Sequence, residues 1–375
     1  MATLISWFFK IFNPGYSVQS TPEQMSGQAG AANGAGKSKS SSGGATKFAK
    51  LTKSSAANKH NVAVIEYGGS YKDLPVYVDV CYFDWMAGKS KENEITDPSF
   101  ERKIIEYLGV LAESEFAGAN LIPRVPSVMV QLLKRMHEEN VSGSELSRII
   151  TKDVVLVAAM LNEVNSSYYN TGEKITDLSQ AILLLGHNRL RMVLAKLSFT
   201  PIYNAQLGPY TKLTASKIWE ESQKRALVCY LLAKHQQVDP FMAFLAGLMQ
   251  DVGLMVALRV FDRSSGNGKL PTSTEFRADF QLHALILSTR IGQIWSLPEI
   301  VTRAIEAQGV DRTMLAKHPL ARVLKKADFI SKTCILIDAG QIKLDTERMR
   351  EILTESEADC LFTMLEGQVN VANVL

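Results

Sequence analysis

From Asp97 to near the C-terminus, apolar residues recur at three- and four-residue spacings. Phe100, Ile104, Leu108 and Leu111 mark the first such stripe, the period of an amphipathic helix. Asp97-Pro98 opens it with an N-cap and a proline at the first helical position. "IPRVPS" breaks the chain before the next stripe, Val128, Leu132, Leu133 and Met136. Ser142 and Glu145 have the spacing of a capping box for "SELSRIIT". Asp153 opens "DVVLVAAMLNEV", apolar nearly all round, which predicts a central helix. "LSQAILLLG" is capped by Thr176 or Asp177 and ends at Gly186, a residue suited to a left-handed cap. Further helices are predicted near 187–199, 215–236, 240–260, 275–295, 298–308, 317–336 and 346–366. No fixed-period repeat runs through them, so the pattern predicts a compact bundle and not a solenoid.

Before Asp97 the pattern changes. "NVAVIEY", "GGS" and "LPVYVDVCYF" place a glycine turn between two β-branched and aromatic runs, which predicts a small β-hairpin within 60–95. A lone hairpin is marginal in water, so it should pack on the helices downstream of it. Upstream, residues 26–46 are Gly, Ser or Ala at 16 of 21 positions, and residues 1–59 read as a disordered tail. Its six lysines between Lys37 and Lys59 have no acidic residue among them. Leu4 to Phe9 form an apolar tip broken by Ser6. Residues 4–12 are therefore a candidate weak membrane-surface contact, assisted by the basic tail. The predicted organisation is a tail over 1–59, a hairpin segment over 60–95, a helical domain over 96–310 and completing helices over 311–375.

Composition narrows the function classes. A formal charge of +3 over 375 residues is too small to argue for nucleic acid. Cys81, Cys229, Cys334 and Cys360 form no CxxC pair, so buried, reduced thiols are expected and not a zinc ribbon or a disulfide framework. No apolar run approaches the roughly 18 residues of a membrane span. There is no GxxxxGK loop and no GxSxG elbow. Arg189, Arg191 and Lys196 in "HNRLRMVLAK" form a candidate face for an acidic partner or a cyclic dinucleotide.

One stretch bears on chemistry directly: "AFLAGLMQDVG" at 243–253. With histidine in place of Gln250 it would read "AGLMHDVG", the pattern around the paired His-Asp metal ligands of HD phosphohydrolases. The order of the other motifs resembles the HDOD domain, a bacterial relative of those enzymes found in signalling proteins. The motifs are "LIPRVPSVMVQLLKRM", "ELSRIITKDVVLVAAMLNEVNSSYYN", "ITDLSQAILLLGHNRLRMVL", "IWEESQKRALVCYLLAKH", "DPFMAFLAGLMQDVGL" and "IGQIWSLPEIVTRAIEAQ". They cover about 120–330. The resemblance implies a mainly α, HD-like multi-helix bundle.

It also implies where an HD metal site would fall. The first ligand histidine falls on Glu221 and the paired histidine on Gln250; the paired aspartate is Asp251 and the distant one Asp328. His283 is the one histidine left near these motifs. Both core imidazoles are thus replaced, and the expectation is a vestigial site with no metal, no cofactor and no catalytic residue. In that reading Asp251 bonds backbone groups at a helix junction and Asp328 pairs with a lysine or arginine. The expected role is a non-enzymatic adaptor or output module, cytoplasmic or peripheral at the inner membrane face, contacting other signalling proteins. Two alternatives stand: a divergent metal-dependent phosphohydrolase using Glu221, Asp251, Asp328 and His283, and a cyclic-dinucleotide receptor.

Overall fold

The computed structural model describes residues 65–66, 73–88, 97–113, 131, 135, 142–166, 174–204, 208–265, 270–309 and 312–366. The tail 1–59, its tip at 4–12 and the stripe at 128–136 lie outside these residues, apart from positions 131 and 135. Strand β1 (Ile65–Glu66) is followed by α1 (Leu74–Ala87), α2 (Pro98–Glu113), α3 (Gly143–Ile150), α4 (Val154–Val164) and α5 (Leu178–Asn204). Then come α6 (Pro209–His235), α7 (Pro240–Met249), α8 (Val252–Ser265) and α9 (Thr274–Ile294). The remainder is α10 (Glu299–Glu306), α11 (Arg312–Lys317), α12 (Pro319–Asp338), β2 (Ile342–Lys343), α13 (Thr346–Ile352) and α14 (Glu355–Leu365). The fold is an all-helical bundle, as the periodicity implies.

The expected hairpin is not formed. "LPVYVDVCYFDWMA" is helix α1, and Ile65–Glu66 pairs in parallel with Ile342–Lys343 from the far end of the chain. Strand propensity of Val and Tyr is a weak preference that tertiary burial overrides. Leu74, Val78, Tyr82, Phe83, Met86 and Ala87 fall on one helical stripe and are buried. Pro75 sits in the first turn and Gly88, in the left-handed conformation at φ 68, ends the helix.

The apolar run 240–260 becomes two helices. Asp239 caps the first by accepting from Met242 N–H. The break falls at Gln250-Asp251, and Ser288 on α9 secures it, accepting from Gly253 N–H and donating to Gln250 C=O. The stretch Pro240–Ser264 has the length and hydropathy of a membrane span, but 94% of its most apolar window is buried in the bundle, so it is core. The run 346–366 likewise divides, because Thr354 starts a new capping box with Glu357. Gly186, at φ 65, breaks α5 as predicted.

The core is centred on α6, which packs on α7, α8, α12 and α14. Its N-terminus is held by a carboxylate from α8: Asp262 accepts from Tyr210 N–H, Thr211 N–H and the Thr211 hydroxyl at 2.8 to 2.9 Å. These bonds satisfy amides that the helix itself leaves open. Asp262→Ala is expected to cost about 1–2 kcal/mol, measured by urea unfolding. Helix α4 is not central, although its all-apolar composition predicts that place. It packs on α3 and α5 and leaves Val154 and Val155 exposed.

Candidate functional site

The residues to which the HD pattern points come from α6, the α7–α8 junction and α12. Where α7 crosses α6 the backbones are nearly in contact. A Cβ on Gly247 would lie 2.5 Å from Ala226 Cα, so only glycine permits this approach. It brings the Gly247 carbonyl within 3.0 Å of Nε of Arg225.

Arg225 is fully buried and its guanidinium joins the site. Nη1 donates to Glu221 Oε2 at 2.6 Å and to Asp328 Oδ1 at 3.0 Å. Nη2 donates to Asp251 Oδ2 at 2.8 Å and reaches Ser222 Oγ at 3.4 Å. With Gly247, these supply five acceptors for the five N–H groups of a guanidinium. Gln250 Nε2 donates to Asp328 Oδ1 at 2.8 Å. Lys332 Nζ bridges Asp328 Oδ2, at 2.7 Å, and Asp79 Oδ1 on α1, at 2.8 Å. Ser331 Oγ donates to Glu221 Oε1 at 2.8 Å.

Sequence and structure thus agree on Glu221, Gln250, Asp251 and Asp328 as one cluster. Asp328 takes the cationic partners expected of it. Among the described residues Asp251 bonds no backbone group, contrary to expectation; its Oδ2 accepts from Arg225. His283 is elsewhere. Its Nδ1 pairs with the Asp279 carbonyl at 2.8 Å and its ring lies against Gly109 of α2. The basic face is not formed either. Residues 189 and 191, two apart, point to different sides of a helix. Arg191 is buried over the Phe241 ring at 4.0 Å, and Lys196 pairs with Glu163 at 2.8 Å.

Burial pushes the Glu221 carboxyl well above the usual range; Arg225 opposes this, and Asp251 and Asp328 reinforce it. Burial also acts upward on Asp328, but Lys332 and Arg225 outweigh it and hold that carboxyl below its usual range. The cations Arg225 and Lys332 together face four carboxylates, Glu221, Asp251, Asp328 and Asp79. The same donor set does not fit a divalent ion. Three of the four positions aligned with HD ligands already bond one guanidinium, the fourth bonds Asp328, and a metal here would face that buried positive charge.

The motif order does not single out Arg225 or Lys332. Each lies four residues after a carboxylate of the cluster, Glu221 and Asp328 respectively. Charged pairs at that spacing inside "EESQKRALVCYLLA" and "KKADFISKTCIL" were the available signal.

Comparison with known proteins agrees with the architecture. The HDOD domain family model matches residues 122–309, half of the chain. An uncharacterized protein of Treponema pallidum (strain Nichols) is 23% identical over 201 residues, covering 49% of this chain and 37% of that protein. The uncharacterized protein YuxH of Bacillus subtilis (strain 168) is 32% identical over 104 residues, covering 28% of this chain and 24% of YuxH. The chain therefore spans well under half the length of these relatives. Among solved structures, an HDOD domain protein of unknown function from Geobacter sulfurreducens superposes with a TM-score of 0.51 at 18% identity. That match covers 72% of this chain and 92% of the other. With its motifs in order, its all-helical bundle and a family match over half its length, this chain belongs to the HDOD domain family.

Proposed function

We propose that this protein is a non-enzymatic signal-transduction module in which Arg225 has replaced the metal of an HD site. The observation that carries the reading is the guanidinium bonded to Glu221, Asp251 and Asp328 together. Metal-dependent phosphoester hydrolysis needs an ion with an open coordination position and an activated water. A buried guanidinium offers neither: it has no orbital for a water and does not give up its proton. What the arrangement can do is hold α6, the α7–α8 junction, α12 and α1 in one fixed relation. That suits a scaffold whose output is contact with another signalling protein.

Metal content tests the reading. Purified full-length protein is expected to hold well under one manganese, iron, magnesium or zinc per chain by elemental analysis, and to leave a generic phosphodiester intact with added manganese. About one metal per chain, lost in Asp251→Ala, would overturn it. Gln250→His is expected to stay inactive in the same assay, since Arg225 still bonds the carboxylates.

A further inference from the structure

Helix α1 lies upstream of the family match and forms one wall of a cavity of about 340 Å³ beside the charge network. The other walls are α9, α12 and the α7–α8 junction. The size is at the small end of ligand sites.

Each wall brings to this cavity a polar side chain with atoms that the fold leaves both open and unbonded. Asp251, at the junction, bonds Arg225 through Oδ2, and Asp79, on α1, bonds Lys332 through Oδ1. The other oxygen of each takes no hydrogen bond among the described residues and is open to solvent, the side chains being 14% and 30% exposed. Lys325 of α12 is exposed and has no ion pair among the described residues. Gln281 of α9 is half-buried, and both ends of its amide are likewise open and unbonded. Exposed Leu282 and half-buried Leu285, also on α9, add apolar surface. The open groups thus carry both signs of charge. A ligand with one sign gains at one wall and loses at another, whereas a ligand with both gains at each.

We infer that this cavity binds a small zwitterion, an α-amino acid with an apolar side chain. Asp251 and Asp79 accept from its ammonium, Lys325 and the Gln281 amide donate to its carboxylate, and its side chain lies along Leu282 and Leu285. A cyclic dinucleotide does not suit the site, because its two phosphates would meet one open lysine and two open carboxylates. Since Asp79 belongs to α1, occupancy bears directly on how α1 sits. The inference rests on the metal-free reading of the network, because a metal on Asp251 would take the oxygen offered to the ammonium.

The test is calorimetric titration of the full chain with L-leucine, L-methionine and L-phenylalanine. Each is compared with the amine that lacks its carboxylate and with the carboxylic acid that lacks its ammonium. Metal content is measured on the same sample. At least one amino acid is expected to bind, with its amine and its acid each about tenfold weaker or more. Lys325→Met, at an exposed position, should weaken the amino acid about tenfold and should not weaken the amine, a split that misfolding would not produce. Leu282→Trp, at the exposed rim of the cavity, should block the amino acid while leaving the fold intact. No binding by any of the three amino acids at millimolar concentration overturns the inference. So does an amine or acid that binds as tightly as its amino acid, or amino-acid binding that survives either substitution unchanged. Stoichiometric metal in the sample would instead strike at the non-enzymatic reading, and the two failures are thereby told apart.

Discussion

Arg225→Met is expected to be the most damaging single substitution in the molecule, lowering folding stability by about 3–5 kcal/mol. The side chain removed is fully buried and bonds three carboxylates. Its loss leaves Asp251 and Asp328 with Lys332 as the one remaining cation of the network, and strands the Gly247 carbonyl as well. Methionine keeps much of the volume, so the cost reports charge and not a cavity. For a folded body of this size the thermal midpoint should fall by roughly 5–10 °C. Lys224→Met, one residue away, is the control. Lys224 pairs with half-exposed Asp338 and with Glu220, and such surface pairs contribute about 0–1 kcal/mol. Equal effects of the two substitutions would mean that the buried network is not what holds these helices together.

The two buried acids should respond oppositely to pH. Glu221 has a raised pKa in the folded state. Its contribution is complete below the ordinary carboxylate pKa of about 4.3 and is lost as pH rises toward the folded value. Asp328 has a lowered pKa. Its contribution is complete above about 3.9 and is lost as pH falls below that. Glu221→Gln mimics the neutral acid. Relative to the parent it should gain stability as pH rises from 5 to 8, by at most about 1.4 kcal/mol per pH unit. Asp328→Asn should instead cost about 3 kcal/mol at pH 7, and should flatten the acid limb of the stability curve. Urea unfolding of the three proteins at several pH values separates these cases. A Glu221→Gln variant that loses ground with rising pH would mean that Glu221 is ionised in the fold and that the network carries a surplus negative charge.

How much of the molecule is legible in the sequence depends on the range of the interactions involved. Caps, breaks and stripes are local, and so the starts of α2, α3, α4 and α9 and the break at Gly186 can all be read. Helix α1 cannot, because "VYVDV" has strand character on its own. Its helical stripe gains meaning only against α6, α9 and α12, between about 130 and 250 residues later. The site divides in the same way. Glu221, Gln250, Asp251 and Asp328 can be named from motif order. Their common partner cannot, since nothing in the pattern of a metal site prepares for a guanidinium in its midst. His283 and the Arg189–Arg191–Lys196 run show the opposite error. They group chemistry-bearing residues that are close in sequence, and the helix period and local burial separate them. The burial expected of the thiols is seen for Cys229, Cys334 and Cys360, and it pushes the last two up to about 12.

The parallel pairing of Ile65–Glu66 with Ile342–Lys343 bears on how the chain is made. A ribosome delivers residue 66 well before residue 343, and at about 5–20 residues per second the interval is roughly 14–55 seconds. Until then α1 has no Lys332 to meet Asp79, and β1 has no strand to join. The helices between them can assemble meanwhile, since α6 packs on α7 and α8, and α8 on α9. Helix α1 can meet α6 and α9 earlier, through Lys217 and Arg277, but the part of its stripe that packs on α12 waits until residues 319–338 have been made. The seating of α1 is thereby completed only when nearly the whole chain has been made.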